Sequence, residues 1–337
     1  MGVRLFGRLP DGTGIPEIEI SAGALAARII TLGASIRDVR LTGVPHPLVL
    51  GFDKLEHYAL HSPHAGAVAG RAANRLALGR FTIDGQAYQV ALNDRGVNHL
   101  HGGVAGFGKR PWRLSAHDDK SVTLVMDSPD GDQGYPGNVT AIVRYTIELP
   151  GTLRMEATAA TDKPTLVNLA QHTYFNLDDS DDILDHEVEI FAESYTPTND
   201  EHIPTGEIRS VADTDFDFRK PRPIRLERDG KRVAYDKNFV VDRKRVEAPR
   251  PHARLHSPKN GVTLLVSSTE PGVQFYDGSY LNVPVPGLGG RIFHRSRGCC
   301  FEPQVYPDAP NHPEFPTSIL RPGETYRQVT TFAFSRS

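Results

Sequence analysis

The sequence predicts an all-β protein of antiparallel sheets, and three observations carry that prediction. Apolar residues recur with a period of two, turn dipeptides punctuate the chain at short intervals, and helical patterns are few. From Val139 to Leu149, the residues Val139, Ala141, Val143, Tyr145, Ile147 and Leu149 fall on one face. Thr140, Arg144, Thr146 and Glu148 fall on the other, which marks a half-buried strand. Leu153, Met155, Ala157 and Ala159 alternate in the same way beyond Pro150-Gly151, so the two runs form a hairpin. Shorter strand-like runs cover Val122–Met126, Glu187–Phe191, Val262–Val266 and Gln328–Phe334. Asp84-Gly85, Asp130-Gly131, Pro136-Gly137, Asp229-Gly230, Asn260-Gly261 and Pro271-Gly272 supply the turns, and 31 glycines with 26 prolines fit that punctuation. Asp53 to Leu60 reads as a short helix capped by Asp53. No clean repeat or low-complexity linker divides the 337 residues, so a single sandwich or barrel domain over residues 1–337 is expected.

Composition narrows the function class. A net charge of -3 offers neither a nucleic-acid groove nor a polybasic membrane surface. The stretch Arg219 to Arg232 holds seven basic residues against Glu227 and Asp229. Pro221 and Pro223 interrupt it and no aromatic is interleaved for base stacking, so it reads as a solvated loop. Cys299 and Cys300 are adjacent, a poor geometry for bridging, and two thiols make no disulfide framework. The first residues lack a signal peptide's apolar core, Gly2 has no Ser or Thr at position 6, and no apolar run approaches a membrane span of roughly 18 residues. A cytoplasmic protein is the expectation.

Histidine is the most informative residue type, with 14 copies. Asn98-His99-Leu100-His101-Gly102-Gly103 sets two histidines beside a flexible turn. No Cys, His or carboxylate partner stands at a metal-ligand spacing, so no metal is expected there. The open alternatives are a histidine presented at a cleft rim by glycines that permit close approach to a ligand, and an ordinary turn. His57, His61 and His64 cluster near Pro63 in what reads as a loop without fixed ligand geometry. Asn168 to Leu177 packs amide, imidazole, hydroxyl and aromatic groups with almost no charge, and alternation puts Asn168, Ala170, His172, Tyr174 and Asn176 on one face. That face suits a sugar, or equally a hydrogen-bonded polar core. Asp236, in Tyr235-Asp236-Lys237-Asn238-Phe239, reads as a surface turn with an Asp–Lys pair. Glu302 follows the apolar Cys299-Cys300-Phe301 and is expected on a buried strand, where a charge is costly unless paired or used. Serine-hydrolase, Walker and dinucleotide-binding signatures are missing.

Taken in order, several segments resemble the aldose 1-epimerases, or galactose mutarotases. They are GRAANRLALGRFTIDG, NHLHGG followed by GFGKRPW, NLAQHTYFNL, DHEVEIFAESYTPTNDEHIPTGEI, YDKNF, GVQFY and FEPQVYPDAPNHPEFPTSILRPGETY, from about Gly70 to Tyr326. The resemblance implies a galactose mutarotase-like antiparallel β-supersandwich with few short helices. It further implies an open cleft for a monosaccharide and no cofactor. By position His172 is similar to the family's general acid, Glu302 to its general base, and His101 to a second histidine that helps polarise the ring oxygen. Asn74, Arg75, Tyr174, Asp236 and Gln274 match substrate-contacting positions. Lys237, Gln171 and Val305 depart from the usual pattern, and an effect on specificity is expected because they neighbour the site residues in sequence.

The implied chemistry interconverts the anomers of a free aldose such as galactose or glucose by ring opening and reclosure. Two opposed proton-transfer groups suffice for this, and Glu302 is expected to raise the pKa of His172 and keep it charged. The alternatives are a hexose-6-phosphate 1-epimerase, which needs a basic pocket near the cleft, and a non-catalytic sugar-binding module. The Arg219 to Arg232 stretch is the only sequence candidate for that pocket. A monomer or weak homodimer is expected, with no nucleic-acid or membrane partner.

Overall fold

A computed structural model describes residues 2–337. Strand follows strand, with nearly every pairing antiparallel. The predicted hairpin is present. Val139–Glu148 pairs with Thr152–Thr161 in uninterrupted register, and its exposure alternates along its length as the period of two requires. At Asp84-Gly85 and Asp229-Gly230 both residues take positive φ, the conformation a two-residue hairpin turn demands.

Three sheets dominate. A nine-stranded sheet runs in the order Arg113–His117, Ser121–Ser128, Val139–Glu148, Thr152–Thr161, Tyr326–Arg336, Val262–Ser268, Arg250–His256, Glu187–Ile190 and Arg222–Pro223. A six-stranded sheet runs Tyr174–Phe175, Cys299–Gln304, Gly272–Tyr276, Asp236–Val240, Ser194–Tyr195 and Arg209–Ser210. A four-stranded sheet comprises Val3–Arg8, Gly14–Ala22, Leu25–Ile30 and Ser35–Leu41. One continuous cluster of buried side chains joins all three, from Ile18 and Ile36 through Val143 and Met155 to Phe275 and Phe301.

The helix differs from its expected form. It spans Leu55–His61, with Lys54 at the cap position and no side-chain cap. Asp53 is engaged elsewhere: it pairs with the Arg37 guanidinium at 3.2 Å and accepts the Gly289 N–H at 3.1 Å. His57 and His61 therefore lie on a helix, not in a loop. Among the described residues no helix is long and apolar enough to cross a membrane.

The Arg219 to Arg232 stretch is mostly neutralised. Arg219 binds Asp217 and Glu193, Arg225 binds Asp185, and Arg228 binds Asp215. Arg222 stacks 3.7 Å from the Phe218 ring centre.

Candidate active site

Strand register assembles one wall of a cleft. Gln274 faces Glu302 on the neighbouring strand and Asn238 on the other, while Cys300, Tyr276 and Asp236 form the adjoining row two residues along. Residues two apart share a face, so both rows point the same way. Tyr174, opposite Cys300, extends the second row. Asp236 is thus the first residue of a strand and not a surface turn. It accepts a hydrogen bond from the Gln274 amide and lies 3.6 Å from Arg75 Nη1 and 3.7 Å from His202 Nδ1. Lys237 turns away from it and donates to the Thr198 hydroxyl.

The opposite wall comes from two short pairings. His172 ends the strand Ala170–His172, which lies against Ala67–Ala69. Arg75–Leu76 pairs with His99–Leu100 and brings Asn74 beside His101. Asn74 and His101 both adopt positive φ, and they are tied twice: His101 N–H donates to Asn74 O at 3.0 Å, and Asn74 N–H donates to His101 Nδ1 at 3.2 Å. Arg71 anchors this segment from behind. Its buried guanidinium donates to the carbonyls of Ser128, Pro129, Pro136 and Gly137. The glycines after His101 do permit a close approach, but to backbone: a Cβ on Gly102 would lie 1.7 Å from Gly70 O.

Between the walls lies a cleft of about 230 Å³, lined by Asn74, Arg75, His101, His172, Tyr174, Asp236 and Glu302 among others. Seven of the eight residues anticipated from sequence thus meet on one surface. Gln274 is buried beside them and acts on Asp236 without lining the opening. His64, Arg95, Tyr276 and Tyr280 also line it; of these the sequence marks only His64, and that in a cluster with no ligand geometry. Tyr276 lies within the segment GVQFY, whereas nothing local marks Arg95 or Tyr280. Asn168 and Asn176 satisfy buried carbonyls, Asn168 that of Val305 and Asn176 those of Ser180 and Arg297. Around Asn168 to Leu177 the polar-core and site readings therefore both hold, on different residues. Gln171, Lys237 and Val305 do not line the cleft, so the departures expected to bear on specificity stand behind it.

His172 Nε2 lies 3.8 Å from Glu302 Oε1, and both side chains are almost fully buried. Burial pulls the imidazole down to about 4, against a smaller opposing pull from its own backbone and Asp236. Burial pushes the Glu302 carboxyl up to about 8, and the Asp236 charge adds to this. This overturns the expectation that Glu302 holds His172 charged. Removing both groups from water costs more than their mutual attraction returns. Burial thus disfavours the charged forms of both groups, which favours the proton on Glu302 over His172. Cys300 Sγ lies 3.5 Å from His172 Nδ1, so Nε2 is the ring nitrogen left to exchange protons.

His101 is neutral as well, held well below the usual histidine range by burial first and by His64 and His172 next. Because its Nδ1 accepts the Asn74 N–H, its proton resides on Nε2. Ligand atoms of His101, His172 and Glu302 lie within 4.8 Å of one another, a spacing that admits a metal. The tautomer argues against that use. One His101 nitrogen is filled by a backbone N–H and the other carries hydrogen, so the ring offers a donor where a metal needs a lone pair. His99 faces inward, hydrogen-bonded to Ala91 O and the Tyr135 hydroxyl, and takes no part.

The cleft, edged by Tyr174, Tyr276 and Tyr280 and holding an imidazole beside a carboxyl, is set on a large antiparallel sandwich. The chain belongs to the aldose 1-epimerase family of isomerases, whose family model matches residues 16–333. It is 41% identical to the galactose mutarotase of Bos taurus, over 98% of this chain and 97% of that one. It is 35% identical to the aldose 1-epimerase of Escherichia coli K12, over 96% of each. Among solved structures, an aldose epimerase homologue from C. elegans superposes with a TM-score of 0.88 at 31% identity, covering 95% of this chain and 98% of that one. The galactose 1-epimerase of Lactobacillus acidophilus superposes with a TM-score of 0.84 at 27% identity, covering 100% and 98%. The galactose mutarotase-like fold expected from the sequence is the observed one.

Proposed function

We propose that the protein interconverts the α and β anomers of a free aldose such as galactose or glucose, with His172 as general acid and Glu302 as general base. The observation that carries this reading is the 3.8 Å pairing of these two groups at the base of a cleft of monosaccharide size. Glu302 takes the proton from the anomeric hydroxyl while His172 gives one to the ring oxygen. The C1–O5 bond breaks, the aldehyde rotates about C1–C2, and closure on the other face returns both protons. His101 Nε2–H donates to the ring oxygen or a neighbouring hydroxyl. Arg75, held by Asp94 at 2.8 Å and facing Asp236, orients hydroxyls and carries no proton through the cycle.

The resting proton inventory fits this cycle. Ring opening converts charged His172 and ionised Glu302 into neutral His172 and protonated Glu302. Burial favours the second arrangement, the one that meets an opened sugar. A cyclic sugar favours the first, because its anomeric hydroxyl donates to a carboxylate and its ring oxygen accepts from an imidazolium. One proton crossing the short gap between the two side chains connects the states.

Glu302→Gln and His172→Ala are each expected to lower anomer interconversion by roughly 10²–10⁴-fold, followed by polarimetry on fresh α-galactose. Wild-type decay of optical rotation in either variant sinks the assignment. Catalytic silence of the wild type with retained galactose binding would instead establish a non-catalytic sugar module. No residue of the Arg219 to Arg232 stretch lines the cleft, which counts against that stretch as the phosphate pocket of a hexose-6-phosphate 1-epimerase.

A further inference from the structure

His64 lies outside the acid–base pair, and no segment that marks the site contains it. Three observations give it a role. Its ring centre is 4.8 Å from that of His101 and 5.9 Å from that of His172, so three imidazoles crowd one side of the cleft. Its position is fixed: Ala65 N–H donates to Ser62 Oγ, Ala67 N–H to His64 O, and Gly66 N–H to the carbonyl of His172 itself. Moreover, its ring nitrogens have no hydrogen-bond partner among the described residues. Nδ1 is sealed from solvent beside Gly108, where a Cβ would approach it to 3.3 Å. His64 lines the cleft, and with Nδ1 enclosed, Nε2 is the nitrogen left for a ligand.

Histidines that serve only the core of this protein behave otherwise. His99 binds Ala91 O and the Tyr135 hydroxyl, which satisfies both its nitrogens, and His252 has a backbone carbonyl within 2.9 Å of each ring nitrogen. A buried polar group without a partner is costly and calls for a use. Resting on the mutarotase reading above, we infer that His64 is a further sugar-binding residue whose Nε2 reads one hydroxyl of the aldose. Burial draws its pKa down to about 3, so at neutral pH it offers a single neutral hydrogen bond and leaves the proton balance of the reaction unchanged.

The test replaces His64 by Phe, which keeps the ring and removes Nε2, and by Gln, which keeps a polar terminus. Anomer exchange and binding of D-galactose are measured separately, the first by polarimetry and the second by titration calorimetry. For His64→Phe the KM and the dissociation constant are expected to rise roughly three- to tenfold, with kcat changing less, and His64→Gln to recover part of the loss. Among 2-, 3-, 4- and 6-deoxy galactoses, the one lacking the hydroxyl that His64 reads should bind wild type and His64→Phe equally. Unchanged galactose binding in a folded His64→Phe protein overturns the inference, as does a loss of the same size for every deoxy sugar. A wild type that binds galactose without interconverting its anomers defeats the mutarotase reading while leaving the His64 comparison measurable. A wild type that neither binds nor turns over galactose defeats both.

Discussion

Burial of His172 and Glu302 sets the pH range over which their shared proton is available. Above about 8 the carboxyl loses it, leaving ionised Glu302 and neutral His172, a base without an acid. Below about 4 the imidazole gains a second proton while Glu302 keeps its own, an acid without a base. The profile of kcat/KM against pH should therefore be bell-shaped with a broad plateau and limbs near 4 and 8, because that ratio reports the free enzyme. In His172→Ala the acid limb near 4 should disappear from whatever activity remains; a limb that persists there assigns it to another group. The sequence motifs point to a charged His172, whereas burial favours the proton on Glu302. The apolar run before Glu302 signals its burial, but the enclosure of His172 beside it depends on strands far apart in the chain. His64 reads as a loop histidine for a related reason, since only the pairing of Ala67–Ala69 with Ala170–His172 carries it to the cleft.

At the scale of elements, the turn after His101 bears a conformational load that side-chain chemistry alone does not reveal. His101, Gly102 and Gly103 take φ of 50, 81 and 102°, and Gly102 abuts the Gly70 carbonyl. Gly102→Ala adds both a left-handed strain and a clash with backbone. It should destabilise the fold by more than about 1 kcal/mol and shift His101 out of register with Asn74. Thermal denaturation with polarimetry on the same sample checks this, and a variant with unaltered Tm and turnover contradicts the packing described. Alternation made the long strands legible: Val139–Glu148 and Thr152–Thr161 occur where the period of two puts them. The helix start was less so, because Asp53 is drawn to Arg37 and Gly289, contacts that no local pattern encodes. The alternation from Asn168 to Asn176 suggests one strand, but the structure breaks it into Ala170–His172 and Tyr174–Phe175, buried on both faces and paired in different sheets.

For the whole molecule, the position of the last strand leads to a prediction about folding. Tyr326–Arg336 lies inside the nine-stranded sheet, bonded to Thr152–Thr161 on one side and Val262–Ser268 on the other. Its Val329 and Phe332 are buried, so the sheet closes only when residues about 170 apart in sequence meet. We propose that residues 1–337 form one domain, because the apolar cluster is continuous from the four-stranded sheet to the six-stranded one. Trp112 provides a local probe of that continuity. It is buried beside Phe107, donates its indole N–H to Phe107 O and binds Thr31 O through its backbone, near the four-stranded sheet and away from Tyr326–Arg336. Unfolding followed by Trp112 fluorescence and by far-ultraviolet circular dichroism should give coincident transitions, as a single cooperative unit requires. Deleting residues 326–337 should abolish both, since it opens two unpaired edges in mid-sheet and uncovers the core there. Retention of a cooperative Trp112 transition in the truncated chain would show that the four-stranded region folds by itself, and the one-domain reading would then give way to two.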